Sequence, residues 1–253
     1  MSKTKALRAL IFDVDGTLAE TERDGHRVAF NRAFAAQGLD WHWDVPTYGR
    51  WLRISGGRER IRAYIDTRDD APVETSERDA LAAALHRRKN RAYADVVEQG
   101  GISARRGVLR LPEASVNEGV RLAIATTTGR GNLDALFPRL FGKGWETRFD
   151  AIACAEDAPN KKPDPQVYHV ALHRLGIDAS EALAVEDSPA GLAAARHAHL
   201  ACLVTRSAYF RRAAFPGAAA VVDDLDTAPD WPGARGPRIG LDALRALHAT
   251  MRV

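Results

Sequence analysis

The stretch ALRALIFDVDGTL, residues 6–18, runs from an apolar segment straight into a turn that holds two carboxylates two positions apart. A short apolar run bounded by a Gly turn reads as a buried strand. Asp13 and Asp15 follow it, and Gly16 permits the tight turn. Acids this close repel each other unless a cation compensates them. Mg²⁺ does so as a hard cation that takes a few carboxylates and completes its shell with phosphate and water oxygens. The plain alternative, a solvated Asp-Gly turn, leaves the fixed positions of DxDGTL unexplained.

Five more apolar segments follow from Arg121 onward, separated by helical text: RLAIATTT (121–128), DAIACAED (150–157), EALAVED (181–187), LACLVT (200–205) and AAAVVDDL (218–225). Strands alternating with helices predict an α/β fold, a doubly wound parallel sheet. Ligands of such sheets sit beyond the carboxyl ends of the strands. The polar residues gather at those ends: Asp13 and Asp15, Thr126 to Thr128, Glu186 and Asp187. Pro165 is expected at the first position of a helix capped by Asp164 and closed by Gly176, and Ser188-Pro189 is expected to open the next. Pro112 falls inside a helix expected over about 107–118, which predicts a start or a kink at that proline.

Residues 20–100 show helical rather than strand periodicity. Phe30 and Phe34 share a face that Gly38 ends, and Trp41, Trp43 and Trp51 are expected to fill the core of this region rather than to form an aromatic ligand cage. The chain therefore divides into a core, residues 1–19 and 101–253, and an inserted helical cap, residues 20–100. Between Arg50 and Arg68 six arginines face two acids. Most read as a solvated helix face. Arg58 differs because it follows Ser55-Gly56-Gly57: backbone N–H groups at a helix start, with a bidentate guanidinium beside them, make an anion site of Gly57 and Arg58. The run His86-Arg87-Arg88-Lys89 is assigned to solvent.

The 253 residues are 45% hydrophobic and 27% charged, enough apolar text for a proper core. The net charge of +3 gives no global basic field, so nucleic acid is not an expected partner. No apolar run approaches a membrane span. The opening MSKTKALRAL is too short in its apolar part for a secretory signal, so a cytoplasmic location is expected. Cys154 and Cys202 lie in strand text and read as buried, reduced thiols.

With DxDGT after an apolar strand, the chain resembles the haloacid dehalogenase superfamily, and the family's later motifs follow in order: Thr126 ending RLAIAT, Lys162 in NKKPDP, and Glu186-Asp187 after EALAV. The resemblance implies a Mg²⁺-dependent phosphohydrolase. Asp13 would be the nucleophile and Asp15 the general acid and base, its carboxyl pKa raised by a dry, capped site. Thr126 and Lys162 would hold the phosphoryl group. Asp13, the Asp15 carbonyl and Asp187 would bind the metal. Glu186 would either bind it too or, as is expected here, support the groups that do. The texts DVDGTLAETE, HRVAFNRAF, GLDWHW and SGGRERI resemble the phosphosugar branch, in particular bacterial phosphatases encoded with Calvin-cycle genes that act on xylulose 1,5-bisphosphate. The sequence differs from that pattern by one extra residue between Thr21 and His26 and by Arg58 in place of a Lys. The implied substrate is a small phosphosugar, with Glu22, His26, Thr127 and Thr128 among its contacts, and a monomer is expected. His26 reads equally well as an ordinary helix residue. A sugar phosphomutase using the same acids is the nearest rival; its relatives carry a basic side chain where Gly129 stands. A dehalogenase, in which the aspartate displaces halide without Mg²⁺, would leave Asp15 and Asp187 unexplained, and the intact acids argue against a non-catalytic binding protein.

Overall fold

Side-chain alternation along each strand sets the two layers of the molecule. The computed structural model describes residues 6–250, so half of the opening ten residues lies outside the described part. Its strands are β1 (Ala9–Phe12), β2 (Arg121–Ala125), β3 (Ala151–Ala153), β4 (Ala182–Glu186), β5 (Ala201–Thr205) and β6 (Ala220–Val222). They are the six that the apolar segments predict, and they form one parallel sheet in the order β3-β2-β1-β4-β5-β6. The helices are α1 (Arg27–Ala36), α2 (Val45–Trp51), α3 (Gly57–Ile65), α4 (Thr75–Glu98), α5 (Arg110–Glu118), α6 (Arg130–Phe141), α7 (Gln166–Leu175), α8 (Pro189–His197) and α9 (Leu241–Thr250).

Leu10, Phe12, Leu122, Ile124, Leu183 and Val185 face one side of the sheet. Ala9, Ile11, Ala123, Ala125, Ala182 and Ala184 face the other. The first side takes the bulky residues of α6 and α9. The second is lined mostly by alanines, so α7 and α8 lie close on it through Ala171, Ala194 and Ala195. Each fully buried Leu, Ile or Val contributes about 1.5–3 kcal/mol. Chain direction then places the site. The strands run outward from β1 to β3, return to β4 beside β1, and run outward again to β6. The crevice at that reversal lies beyond the ends of β1 and β4, where Asp13 and Asp187 follow.

Helix ends follow the sequence cues with small shifts. The Ser188 hydroxyl accepts from Gly191 N–H at 3.0 Å, with Pro189 in the first position. Asp164 accepts from Gln166 N–H at 2.9 Å, Pro165 stands one place before the helix, and Gly176 closes it with φ 61°. Helix α5 starts at Arg110, two residues before Pro112. No kink is needed, because N–H groups of a first turn have no partner in the helix. Both cysteines are buried free thiols. No helix among the described residues is long and apolar enough to cross a membrane.

The chain leaves the sheet after Ala19 and returns at Ala104, and these two residues pair in an isolated bridge. Between them Glu22–His26 forms a π-helical turn that continues into α1. Such a turn holds more residues than an α-turn. It falls on the segment between Thr21 and His26 where the resemblance suggests an extra residue. Trp43, fully buried, packs at 4.9–5.1 Å from the rings of Phe30, Phe34 and Tyr64. Trp41 is buried beside them and Trp51 half-buried. These indoles are core. Helix α4 belongs to two packing units: Ala82 and Leu85 join the aromatic cluster, while Tyr93 and Val97 join the cluster against the sheet.

Candidate active site

One buried ammonium ties three strand ends together. Lys162, in the loop before α7, donates through Nζ to Asp13 Oδ1 (2.7 Å), Glu186 Oε1 (2.6 Å) and the Ala125 carbonyl (2.9 Å). Tyr168 of α7 donates to the same Glu186 oxygen at 2.6 Å. Asp187 follows Glu186, and one carboxylate oxygen from each of Asp13, Glu186 and Asp187 lies within 4.8 Å of the others. Three buried carboxylates thus cluster where one ammonium reaches two of them. Burial, with repulsion from Glu186 and Asp15, pushes Asp13 up to about 8 despite Lys162. Burial and the charges of Asp13 and Glu186 raise Asp187 well above the usual carboxylate range. Burial opposes the charge on Lys162, but Asp13 and Glu186 outweigh it and raise the ammonium pKa.

Excess buried negative charge and hard oxygen donors fit a divalent cation. The three acids do not fit it equally. Glu186 Oε1 serves Lys162 and Tyr168, and Oε2 accepts from Asp187 N–H at 3.3 Å. A Cβ on Gly191 would stand 1.9 Å from that Oε2, so the carboxylate is packed in as well. Asp13 and Asp187 are the better donors, and Glu186 fixes the lysine.

Asp15 turns the other way, toward the helical insertion. Its Oδ1 accepts from Thr21 Oγ1 (2.5 Å) and meets His26 Nε2 at 2.9 Å. Burial does push this carboxyl upward, but the His26 charge and the two hydrogen bonds outweigh it and hold it down to about 2. The expectation that dryness raises this carboxyl is therefore corrected. A neighbouring imidazole reverses the outcome.

His26 is buried and stacks on Tyr93 with ring centroids 4.2 Å apart. Glu22 accepts a short hydrogen bond from the Tyr48 hydroxyl, which itself accepts from Arg60 Nη1 at 2.9 Å. Lys89 is not in solvent, as its basic run suggested. It is buried, with Nζ 5.3 Å and 5.2 Å from the ring centres of Phe30 and Tyr93. His86 beside it is pushed down to about 4 by burial and by the charges of Lys89 and Arg58.

The pieces meet across two adjoining cavities that share Asp15, Glu22, Gly56, Arg60 and Thr127. The first, about 450 Å³, is lined by Asp13, Lys162 and Asp187. The second, about 200 Å³, is lined by Gly57, Arg58, His86, Lys89 and Thr128. A larger open groove along α7, beside His169 and His173, holds none of Asp13, Asp15, Lys162, Glu186 and Asp187. Arg58 is exposed at the mouth of the second cavity, at the start of α3. Glu59 lies over that helix start, 2.1 Å from where a Cβ on Gly56 would be. Thr126 is buried at the end of β2 and does not line either cavity; its hydroxyl accepts from Thr128 N–H at 3.2 Å and so holds the turn that presents Thr127 and Thr128. Sequence reading missed Lys89, His86 and Arg60 as wall residues of this space, and Tyr48 as the buried hydroxyl that joins Arg60 to Glu22.

A family model described as haloacid dehalogenase-like hydrolase matches residues 7–199. The protein CbbY (plasmid) of Cupriavidus necator is 44% identical over 247 residues, covering 96% of this chain and 97% of that protein. CbbY of Rhodobacter capsulatus is 45% identical over 88% of this chain and 95% of its own length. A crystal structure of a CbbY variant from Rhodobacter sphaeroides, in complex with xylulose-(1,5)-bisphosphate, superposes with a TM-score of 0.84 at 37% identity, covering 94% of this chain and 99% of that one. A family model over residues 7–199 and relatives 44–45% identical over most of their length settle the family: the chain belongs to the haloacid dehalogenase-like hydrolases.

Proposed function

We propose that the chain is a Mg²⁺-dependent phosphatase that hydrolyses a sugar bisphosphate, of the xylulose 1,5-bisphosphate kind, through an aspartyl phosphate on Asp13. The observation that carries this reading is the charge layout of the joined cavities. A floor with more buried acid than cation lies beside a pocket holding Arg58, Arg60 and Lys89. A molecule with a phosphate at each end matches both. The likeness to a CbbY crystallised with such a bisphosphate supports it.

Asp13, Asp187 and the Asp15 carbonyl would hold the cation, which when bound neutralises charge on the phosphoryl oxygens. Lys162 holds Asp13 Oδ1 and leaves Oδ2 to attack phosphorus. A phosphorus–oxygen bond forms to Asp13 and the one to the sugar breaks. The departing alkoxide takes a proton from Asp15, which meets His26 Nε2 at 2.9 Å and gains proton affinity as a phosphate dianion enters. Asp15 then accepts a proton from water, which attacks phosphorus and frees Asp13. Thr127, Thr128 and the backbone N–H after Thr126 steady the phosphoryl oxygens. Glu22 takes sugar hydroxyls, and Arg58, Gly57 and Lys89 take the distal phosphate. Residues 20–100 act as the cap that keeps bulk water out.

A mutase would use the same acids. Hydrolysis is favoured by Gly129, which stands against Glu156 with 2.9 Å between its Cβ position and the carboxylate. Arg130 turns instead to Asp134 at 2.8 Å and to the face of Trp145. The test is a phosphate-release screen over sugar mono- and bisphosphates with and without Mg²⁺. Metal-dependent release, fastest on a five-carbon bisphosphate, is expected; equal release from metal-free enzyme would sink the reading.

A further inference from the structure

Arg105 sits where the chain returns to the sheet, next to the Ala19–Ala104 bridge, and its backbone N–H donates to Leu18 O at 2.9 Å. Its side chain is only 7% exposed. Nη1 donates to the Gly16 carbonyl, to Thr205 O at 3.1 Å and to Thr205 Oγ1 at 3.0 Å. Nη2 donates to Arg206 O at 2.6 Å and to Asp223 O at 2.8 Å. Nε faces Glu20 at 3.4 Å. One planar fork thus joins the turn after β1, the loop after β5 and the end of β6. A lysine has the charge but not the fixed array of donors.

Two of those segments flank Asp187. Gly16 holds φ at +90°, and a Cβ there would stand 2.2 Å from Asp187 Oδ2, so the Gly16 backbone is the wall against which that carboxylate rests. Ser207 follows Arg206. Its buried hydroxyl lies beside Asp187 and helps to hold its charge, without a well-formed hydrogen bond among the described residues. The Arg105 charge also opposes the burial that raises Asp187.

We propose that Arg105 is a positioning residue for Asp187: by locking the Gly16 carbonyl and the loop at 205–207, it holds that carboxylate where a divalent cation meets it. The proposal rests on the cation reading above. Arg105 itself touches neither cation nor substrate.

The experiment titrates Mn²⁺ into substrate-free enzyme by electron paramagnetic resonance, for the parent, Arg105→Lys and Arg110→Lys. Arg110 is the control because it also ties backbone, to Leu225 O at 3.0 Å, and pairs with Asp226, but holds neither segment beside Asp187. Groups that orient metal ligands change affinity by about 10–100-fold when altered. Arg105→Lys is expected to weaken Mn²⁺ at the low end of that range, with turnover of p-nitrophenyl phosphate recovering at high Mg²⁺. Arg110→Lys is expected to bind as the parent does. If Arg105→Lys does not fold, Thr205→Val removes one acceptor of the fork at constant shape and should weaken Mn²⁺ in the same direction. Unchanged Mn²⁺ affinity in the folded variant overturns the proposal and leaves Arg105 a merely structural residue. A parent enzyme that binds no Mn²⁺ overturns the cation reading itself, and this proposal with it.

Discussion

On the floor of the cavity Lys162 meets Asp13, Glu186 and the Ala125 carbonyl, all within 2.9 Å. On the opposite wall Lys89, just as buried, has one hydrogen-bond partner among the described residues, Asn90 at 3.4 Å, and otherwise two aromatic faces. The floor is assembled in advance, so little reorganisation is left for the reaction. The wall keeps an under-compensated cation, which is costly in the free protein and available to an anion. Burial accordingly lowers Lys89 to about 8, although Asp15 and Glu22 pull it back up. On the proposed function, the two lysines would separate what the site does to a phosphate from what it does to select one.

The largest expected effect breaks the floor. Asp13→Asn should fold but lose about 10³-fold or more in kcat, as removal of a nucleophile does elsewhere. Residual turnover above that level, with contaminating phosphatase excluded, contradicts a covalent route.

Arg58→Ala next sharpens the wall. Loss of a charge-assisted hydrogen bond of about 1.5–3 kcal/mol corresponds to roughly 10–150-fold in kcat/KM, confined to bisphosphates. An equal loss on p-nitrophenyl phosphate would assign Arg58 to closure or folding instead.

Lys89→Met should trade function for stability. The folded chain holds this proton less tightly than the unfolded chain, so the cost is fully present below about pH 8 and fades as pH rises toward the ordinary lysine value of 10.5. Denaturant melts should show the variant more stable at neutral pH, by up to about 3 kcal/mol, with the gain shrinking in alkali. Bisphosphate turnover should fall at the same time. A variant destabilised at neutral pH would show that Lys89 packs rather than waits.

The smallest effect concerns the floor without its cation. Asp13 is raised to about 8, so its contribution to stability is present in acid and lost as pH climbs through that value. The rise in Tm on adding Mg²⁺ should therefore be larger near pH 8 than near pH 6. The opposite order would mean that the acids are already compensated.

The floor was legible in the sequence because its carboxylates stand at the ends of apolar runs, which the sheet brings together, and Lys162 stands in the polar NKKPDP text just before a helix. The wall was only partly legible: Gly57 and Arg58 stood out behind their glycine turn, but Arg60, His86 and Lys89 sit on helices within basic text. Lys89 was hidden by His86, Arg87 and Arg88, yet the buried face of α4 runs Ala82, Leu85, Lys89, Tyr93, Val96 at intervals of three and four. Counting along that face would have placed it. The depressed carboxyl of Asp15 had no such signal. It depends on a π-helical turn that swings His26 onto it, and on Thr21. Arg105 gave none either, since its acceptors are carbonyls from segments about ninety to one hundred and twenty residues away in sequence.

The most direct test of the central claim is phosphorus NMR of xylulose 1,5-bisphosphate incubated with enzyme and Mg²⁺. The account predicts one equivalent of inorganic phosphate per sugar and a monophosphate product that does not react further. Exchange of phosphate between positions of a retained sugar, with little inorganic phosphate released, would contradict it and assign the floor to a mutase.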